Sequence, residues 1–383
     1  MYNFSFSNPV KILFGKNTIA QLADEIPANA KVLLVYGGGS IKSNGVYQQV
    51  TAALKHHNLY EFSGVEANPT YETCLKAIEL IKKETINFIL AAGGGSVIDA
   101  AKFMALGSQA AGDPWDILSK GIYPDTAVPL GTILTLPATG SEMNDRAVIS
   151  YVALQEKRAF RTPLVYPRFS ILDPEVTYTL PVRQVANGVV DTFIHTTEQY
   201  LTFPVNAQVQ DRFAESILKI LVDLGEQALK TPADYDVRAN LMWASTWALN
   251  GWIGQGVPED WATHQIGHEL TAFYGLDHAQ TLAIVLPGVL NTQFDLKTDK
   301  LAQMGERVFG LMEGSKEVRA RATIEAIEAF FNRMGVGTRL SDYGLGDEVP
   351  GKIAHRLRER GWVLGEHQTI TADVVETLLQ GRR

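Results

Sequence analysis

The tetrapeptide Gly-Gly-Gly-Ser occurs twice, at 37–40 and 93–96, each time directly after a short apolar run. The runs are Lys31-Val-Leu-Leu-Val-Tyr36 and Asn87-Phe-Ile-Leu-Ala-Ala92. Helical patterns follow, from Val46 to about His57 and from Val97 onward. Asn68-Pro69-Thr70 reads as a turn and helix start, and Tyr71 to Glu84 carries apolar residues at helical spacing. Strand, glycine turn and helix in repetition mark a parallel sheet with helical crossovers. Further strands are expected over 128–136, 147–152 and 170–172. From Pro181 the pattern changes. Helices are expected over 182–201, 207–229, 236–254, 260–273, 281–292, 298–312 and 316–334, with no strand alternation among them. The expected fold is an α/β N-terminal domain over 1–180 and an all-α C-terminal domain over 181–383.

Composition excludes several partners. The 34 Lys+Arg against 42 Asp+Glu give a net charge of −8, without the basic face that nucleic acid or an acidic membrane surface requires. The one cysteine, Cys74, excludes an intrachain disulfide and a thiolate metal cluster. Met1-Tyr-Asn-Phe-Ser-Phe-Ser lacks a basic stretch followed by an apolar one, so a soluble cytoplasmic protein is expected. Phe4 and Phe6 alternate with serines, as in an edge strand that pairs across a homodimer.

The glycine turns suit a phosphate. A phosphate packed on backbone needs residues without a Cβ and N–H groups at a helix start. Gly93-Gly94-Gly95-Ser96 offers both, with Ser96 and Asp99 as plausible caps. One such turn is equally a tight turn without a ligand, and it has neither the G-x-G-x-x-G nor the G-x-x-x-x-G-K-[ST] spacing. Two turns in one sheet favour a dinucleotide. NAD sites usually place an acid on the ribose 2′-OH. The first turn offers Gly37, Gly38, Gly39, Ser40 and then Lys42, with no acid, which favours NADP over NAD unless Lys42 simply faces solvent. Thr135 to Glu142 forms a third turn rich in hydroxyls, able to bond a ribose or a carboxamide, or an ordinary strand exit.

The histidines point to a metal. Asp191 and His195 are four apart, as are His264 and His268, and His278 follows after Tyr-Gly-Leu-Asp. On a helix, such pairs share a face. Either pair alone is more often a surface hydrogen bond, or an imidazole served by a carbonyl, than a metal site. Together, among apolar neighbours such as Val189, Val190, Ile194 and Ile266, they are polar groups that need partners, and a divalent metal would serve them all. Gln265 stands where the zinc-peptidase H-E-x-x-H has its glutamate, which argues against peptide hydrolysis.

These segments together resemble the iron-containing (group III) alcohol dehydrogenases, within them the butanol dehydrogenase and NADPH-dependent aldehyde reductase branch. The resemblance runs over essentially the whole chain. It rests on Asn8–Gly15, Gly93–Lys102, Leu134–Glu142, Leu172-Asp-Pro174, the helix with Asp191 and His195, and His264-x-x-x-His268 with His278. It implies an α/β dinucleotide-binding domain and a helical metal-binding domain, in the dehydroquinate synthase-like architecture, with the site in the cleft between them. It implies Asp191, His195, His264 and His278 as metal ligands, with His268 as the neighbouring histidine near nicotinamide and substrate. Gly37 to Ser40 would line the adenosine end of NADP, and Gly94, Gly95, Ser96 and Asp99 the pyrophosphate. Thr135, Thr139 and Ser141 would lie near the nicotinamide half, and Lys157 matches a cofactor-contacting lysine. Relatives with His-Gly at the last ligand differ from His278-Ala279 here, and the Asp145-Arg146 pair has no evident meaning.

The expected chemistry is reversible hydride transfer between NADP(H) and a primary alcohol/aldehyde pair, with one Fe²⁺ or Zn²⁺ polarising the substrate oxygen and His268 or ordered water relaying the proton. Trp252, Trp261 and Phe273 suggest a small, weakly polar substrate unless they are core. Three alternatives remain at this level. They are a polyol dehydrogenase of the same fold, a dehydroquinate-synthase-like lyase, which would need a basic pocket, and a non-catalytic nucleotide- or metal-binding protein. His56, His57, His355 and His367 are expected at the surface.

Overall fold

The computed structural model describes residues 1–383. The chain packs as two compact units. One takes in Ser7–Pro181 and Pro232–Thr246, and the other Met1–Phe6, Val182–Thr231 and Trp247–Arg383.

The α/β unit is built on eight strands: β1 (Lys11–Phe14), β2 (Lys31–Tyr36), β3 (Asn58–Phe62), β4 (Phe88–Gly94), β5 (Leu130–Leu136), β6 (Arg146–Tyr151), β7 (Glu156–Arg161) and β8 (Phe169–Leu172). Six form a sheet in the order β1-β8-β5-β4-β2-β3 with every pair parallel, and β6–β7 is an antiparallel hairpin. Alternate residues of each strand feed two separate cores. Leu33, Val35, Ile89 and Ala91 pack with the helices Tyr71–Glu84 and Gly95–Gly107, whereas Val32, Leu34, Leu90 and Ala92 pack with Ile19, Leu22, Val46 and Val50. Both faces are thus covered, as parallel sheets require. Thr70 caps the helix Tyr71–Glu84 through its hydroxyl, 3.2 Å from the Thr73 N–H.

β2 and β4 are neighbours, with Tyr36 opposite Ala92. The two glycine turns therefore leave the same end of the sheet side by side, the end at which open α/β sheets bind ligands. They are not equivalent. β4 continues through Gly93 and Gly94, its pairing with β5 shifts there, and a 13-residue helix begins at Gly95. The first turn passes through Gly39 at φ 102° into a helix of only four residues, Ser40–Ser43. The next helix ends at Ala53 rather than near His57, because β3 begins at Asn58. Strands β1, β3 and β7 escape the sequence pattern for a common reason. The first two are the sheet's edges and the third a hairpin arm, so their residues are mixed and half-exposed.

The other unit is helical: Val182–Tyr200, Gln208–Lys230, Ala262–Tyr274, His278–Thr292, Phe294–Phe309, Lys316–Arg333, Val349–Arg360 and Ala372–Gln380. The sequence pattern does not predict the last two. The helix Tyr235–Ala248 lies mostly within the α/β unit. Gly310 at φ 72° stops Phe294–Phe309 short of the expected residue 312. Residues 1–10 form no strand in this chain. Instead the Tyr2 N–H donates to the Gly256 carbonyl, and the Phe6 ring lies edge-on to Trp252 at 5.3 Å. No helix is long and apolar enough to cross a membrane. His56, His355 and His367 are exposed, but His57 is half-buried, its Nε2 3.4 Å from the Ile26 carbonyl.

Candidate metal centre and nucleotide-binding turns

Three helices of the helical unit bring Asp191, His195, His264 and His278 together, with one donor atom from each lying within 4.8 Å of the others. Asp191 and His195 share a face of the buried helix Val182–Tyr200, with Asp191 Oδ1 3.4 Å from His195 Nδ1 and 3.8 Å from His278 Nε2. His264 stands on Ala262–Tyr274, its ring 4.5 Å from that of His195 and 5.1 Å from that of His278.

Local chemistry fixes where two of these helices start. Asp260 Oδ1 accepts from the Ala262 N–H at 2.9 Å and Glu198 Oε1 from the Thr263 N–H at 2.7 Å, so two carboxylates serve the orphan donors ahead of His264. Trp261 precedes them at φ 60°, a left-handed conformation unusual for an indole residue. His278 opens its helix behind Asp277, which forms a capping box with Gln280. Arg183 and Asn187, on the Asp191 helix, both bond the Asp277 carboxylate. Gly267 permits the approach of the helix His278–Thr292, since a Cβ there would meet Leu282 Cδ2 at 2.9 Å.

The set fits a divalent metal. Asp191, His195 and His264 are 4–7 % exposed. His264 Nε2 is buried without a hydrogen-bond partner while its Nδ1 is engaged by Glu198, so a lone pair faces the other donors. Nitrogen and oxygen donors of this kind take iron or zinc. His268 lies outside the ligand set, its ring 5.4 Å from that of His278 and 6.2 Å from that of His264. Of the three aromatics considered for the substrate, Trp261 adjoins the centre, 5.3 Å from the His264 ring. Trp252 packs on Phe6 and Phe213, and Phe273 lies 3.7 Å beneath the Arg356 guanidinium, so both are packing residues. Glu198 carries no local sign of its role in the sequence, although it extends the Asp191–His195 spacing by a further three residues.

The second site belongs to the α/β unit. A Cβ on Gly94 would stand 3.0 Å from Leu136 Cβ, and one on Gly95 would stand 2.3 Å from Thr139 Oγ1. The second glycine turn thus lies directly against the hydroxyl turn. Gly94 caps the helix without a side-chain bond, leaving the backbone N–H groups at that helix start for an anion. Those features fit a pyrophosphate. Ser96 bonds the Ala67 carbonyl. Asp99, half-buried, accepts from Ser141 Oγ at 2.6 Å and from the Val148 N–H at 2.9 Å, bracing the hydroxyl turn from behind. Thr139 Oγ1 accepts from the Ser141 N–H at 3.2 Å, and Thr135 is 8 % exposed. Lys157 Nζ donates to Asn68 Oδ1 at 3.0 Å.

Beneath this turn lies a lysine, Lys102, that the sequence does not mark as functional. Lys102 is fully buried, and its ammonium donates to Ser141 Oγ, Asn144 Oδ1 and the Asn144 and Arg146 carbonyls, each at 2.9 Å. Burial pulls its pKa down to about 8. The Asp145–Arg146 pair now has a partial meaning. Asp145 takes a 3.0 Å bond from Arg161 across the hairpin, and Arg146 supplies its carbonyl to Lys102.

At the first turn Gly37 and Gly39 are half-exposed, and Gly38 and Ser40 exposed. The turn is not free of acid, as the local sequence suggested. Glu61 arrives from β3, its carboxylate 3.4 Å from Lys42 Nζ and bonded by the Tyr36 hydroxyl at 2.8 Å and by Tyr47. The Tyr47 hydroxyl, with Tyr36 and Lys42, holds Glu61 below the usual carboxylate range.

Comparison with known proteins gives a family match for each half of the chain. The family model "Iron-containing alcohol dehydrogenase" matches residues 9–174, and "Fe-containing alcohol dehydrogenase family, C-terminal" matches 185–382. The NADPH-dependent aldehyde reductase YqhD of Escherichia coli K12 is 53 % identical over the whole of both chains. A probable NADH-dependent butanol dehydrogenase of Bacillus subtilis is 39 % identical over 99 % of each. The crystal structure of E. coli YqhD superposes with a TM-score of 0.98, 52 % identity and coverage of 100 % of this chain and 99 % of that one. With both halves matched by the family's own models and a relative above half identity at full length, the chain belongs to the iron-containing alcohol dehydrogenase family.

Proposed function

We propose that this oxidoreductase interconverts small, weakly polar aldehydes and primary alcohols with NADP(H), working chiefly as an aldehyde reductase. The observation that carries the proposal is the convergence of Asp191, His195, His264 and His278, in a chain 53 % identical to an NADPH-dependent aldehyde reductase. Those four residues would hold one divalent metal, iron by the family's description, with zinc accepted by the same donors. When bound, the metal supplies Lewis acidity toward the substrate oxygen and the nicotinamide supplies the hydride.

The remaining work falls to the protein. Gly94, Gly95 and Ser96 at the helix start receive the pyrophosphate, and Gly37, Gly38, Gly39 and Ser40 the adenosine end. Thr135, Thr139 and Ser141 orient the nicotinamide half, with Asp99 bracing that turn and Lys157 toward the cofactor. Once hydride has reduced the carbonyl carbon, the His268 imidazole gives the oxygen the proton it then requires and is reprotonated from solvent. The Trp261 indole, held by a 2.9 Å bond to Glu259, offers an apolar wall that favours aldehydes without charge. A cytoplasmic homodimer is the proposed form, supported by exposed Met1, Tyr2 and Phe4 in the N-terminal segment.

NADPH oxidation with butanal, run on metal-loaded and metal-stripped protein, tests the reading. Turnover that requires about one metal per chain is expected, with kcat/KM higher for NADPH than for NADH. Full activity in stripped protein would overturn the metal assignment, and a preference for NADH would overturn the coenzyme assignment.

A further inference from the structure

We infer that Glu198 is a positioning residue for the metal centre, fixing the tautomer and orientation of the His264 ring so that Nε2 is its ligand atom. The inference rests on the metal reading above. The two nitrogens of the ring have different surroundings. Nδ1 is bonded to Glu198 Oε2, and a carboxylate only accepts. Nδ1 therefore carries the ring proton, and the lone pair falls on Nε2. Nε2 is the buried nitrogen left without a hydrogen-bond partner, and His264 belongs to the cluster whose donor atoms converge.

Glu198 is built for this. It is 3 % exposed and lies on the same helix as Asp191 and His195, seven and three residues along, so one face carries two ligands and the acid that orients a third. Its other oxygen accepts from the Thr263 N–H at 2.7 Å, and its main-chain carbonyl accepts from the Asp260 N–H at 3.0 Å. Ring and helix start are thus gripped by one side chain. A carboxylate buried this deeply beside an imidazole is costly to retain as a helix cap alone, since a serine or asparagine would cap as well. Carboxylate partners of this kind orient metal-binding histidines and raise their basicity.

Glu198→Gln separates positioning from capping. The amide oxygen can still accept from the Thr263 N–H, but the amide NH₂ then faces His264 Nδ1. That nitrogen must accept, the proton moves to Nε2, and the ligand lone pair is lost. Competition with a chelator would measure the affinity for Zn²⁺ and Co²⁺ in both proteins. The variant is expected to melt close to the wild type when metal-free and to bind NADPH normally, with metal affinity reduced about 10–100-fold. Equal metal affinity in a folded variant overturns the inference. Wild-type protein that binds neither ion overturns instead the metal reading beneath it. Should the variant fail to fold, ¹⁵N spectra of the metal-free wild type decide: a His264 proton on Nδ1 supports the inference, and one on Nε2 overturns it.

Discussion

The Cβ that Gly95 lacks would fall 2.3 Å from Thr139 Oγ1 and 2.5 Å from Thr139 Cγ2. This glycine is demanded by a neighbouring side chain before any ligand is considered. Thr139 is itself fixed, because its hydroxyl accepts from the Ser141 N–H and Ser141 is held by Asp99 and Lys102. Gly95→Ala must push the two turns apart. Overpacking of this kind costs about 1–3 kcal/mol. Thermal melting should show that loss, and NADPH binding followed by fluorescence should weaken at least about tenfold, or about 1.4 kcal/mol. Gly38→Ala is the control. Nothing lies within 4 Å of its Cβ position, so stability should stay within about 0.5 kcal/mol of the wild type. Equal effects at the two glycines would refute the contact explanation.

The sequence made legible whatever is local or strongly periodic. The helix Tyr71–Glu84 appears at its observed limits because Thr70 caps it and its apolar residues recur on one face. The same holds for the Asp191–His195 and His264–His268 spacings, which a helix turns directly into shared faces. What stayed hidden depends on partners distant in the chain. Glu198 sits in a run of polar residues, Thr196-Thr197-Glu198-Gln199, that gives no sign of burial, and the ring it bonds lies 66 positions on. Glu61 belongs to β3, an edge strand whose pattern of exposure blurs the alternation that would have revealed it. Lys102 reads as an ordinary helical lysine until Ser141, Asn144 and Arg146, some forty positions on, supply four acceptors.

Lys42 provides a test of coenzyme choice. Its ammonium lies 4.7 Å over the Tyr47 ring and is shared with Glu61, so it is tethered at the first glycine turn although half exposed. A 2′-phosphate would compete with Glu61 for that charge. Lys42→Ala should lower kcat/KM for NADPH about tenfold, or about 1.4 kcal/mol, and leave NADH nearly unchanged. Glu61→Gln removes the competitor and should raise the NADPH:NADH ratio, an effect that fades with added salt because both groups are solvent-accessible. A loss in Lys42→Ala shared equally by the two coenzymes would show that the lysine serves the fold instead of the phosphate.

Lys297 joins two carboxylates inside the helical unit, and their shared proton makes stability depend on pH. Its ammonium donates to Asp260 Oδ2 and Glu366 Oε1 at 2.8 Å and to the Leu201 carbonyl at 2.6 Å, and the side chains of the ion triad are each 4 % exposed. Two buried carboxylates against one ammonium leave an uncompensated charge. Burial, then the hydrogen bond with Asp260, pushes Glu366 up to about 7. Asp260 stays below its usual range despite burial, because Glu366 and Lys297 both bond it. Between about 4.5, the ordinary glutamate value, and about 7, the folded chain keeps a proton that the unfolded chain has released. The stabilisation from this site is complete below that window and is lost as pH rises through about 7. Glu366→Gln holds the neutral form at every pH. Melting temperatures at pH 5 and pH 8 should therefore fall more steeply in the wild type than in the variant. Lys297→Met leaves both carboxylates buried without their cation and should cost about 3–5 kcal/mol, more at pH 8 than at pH 5. Parallel melting curves for wild type and Glu366→Gln across that range would mean that Glu366 is ionised throughout and that Lys297 alone balances the pair.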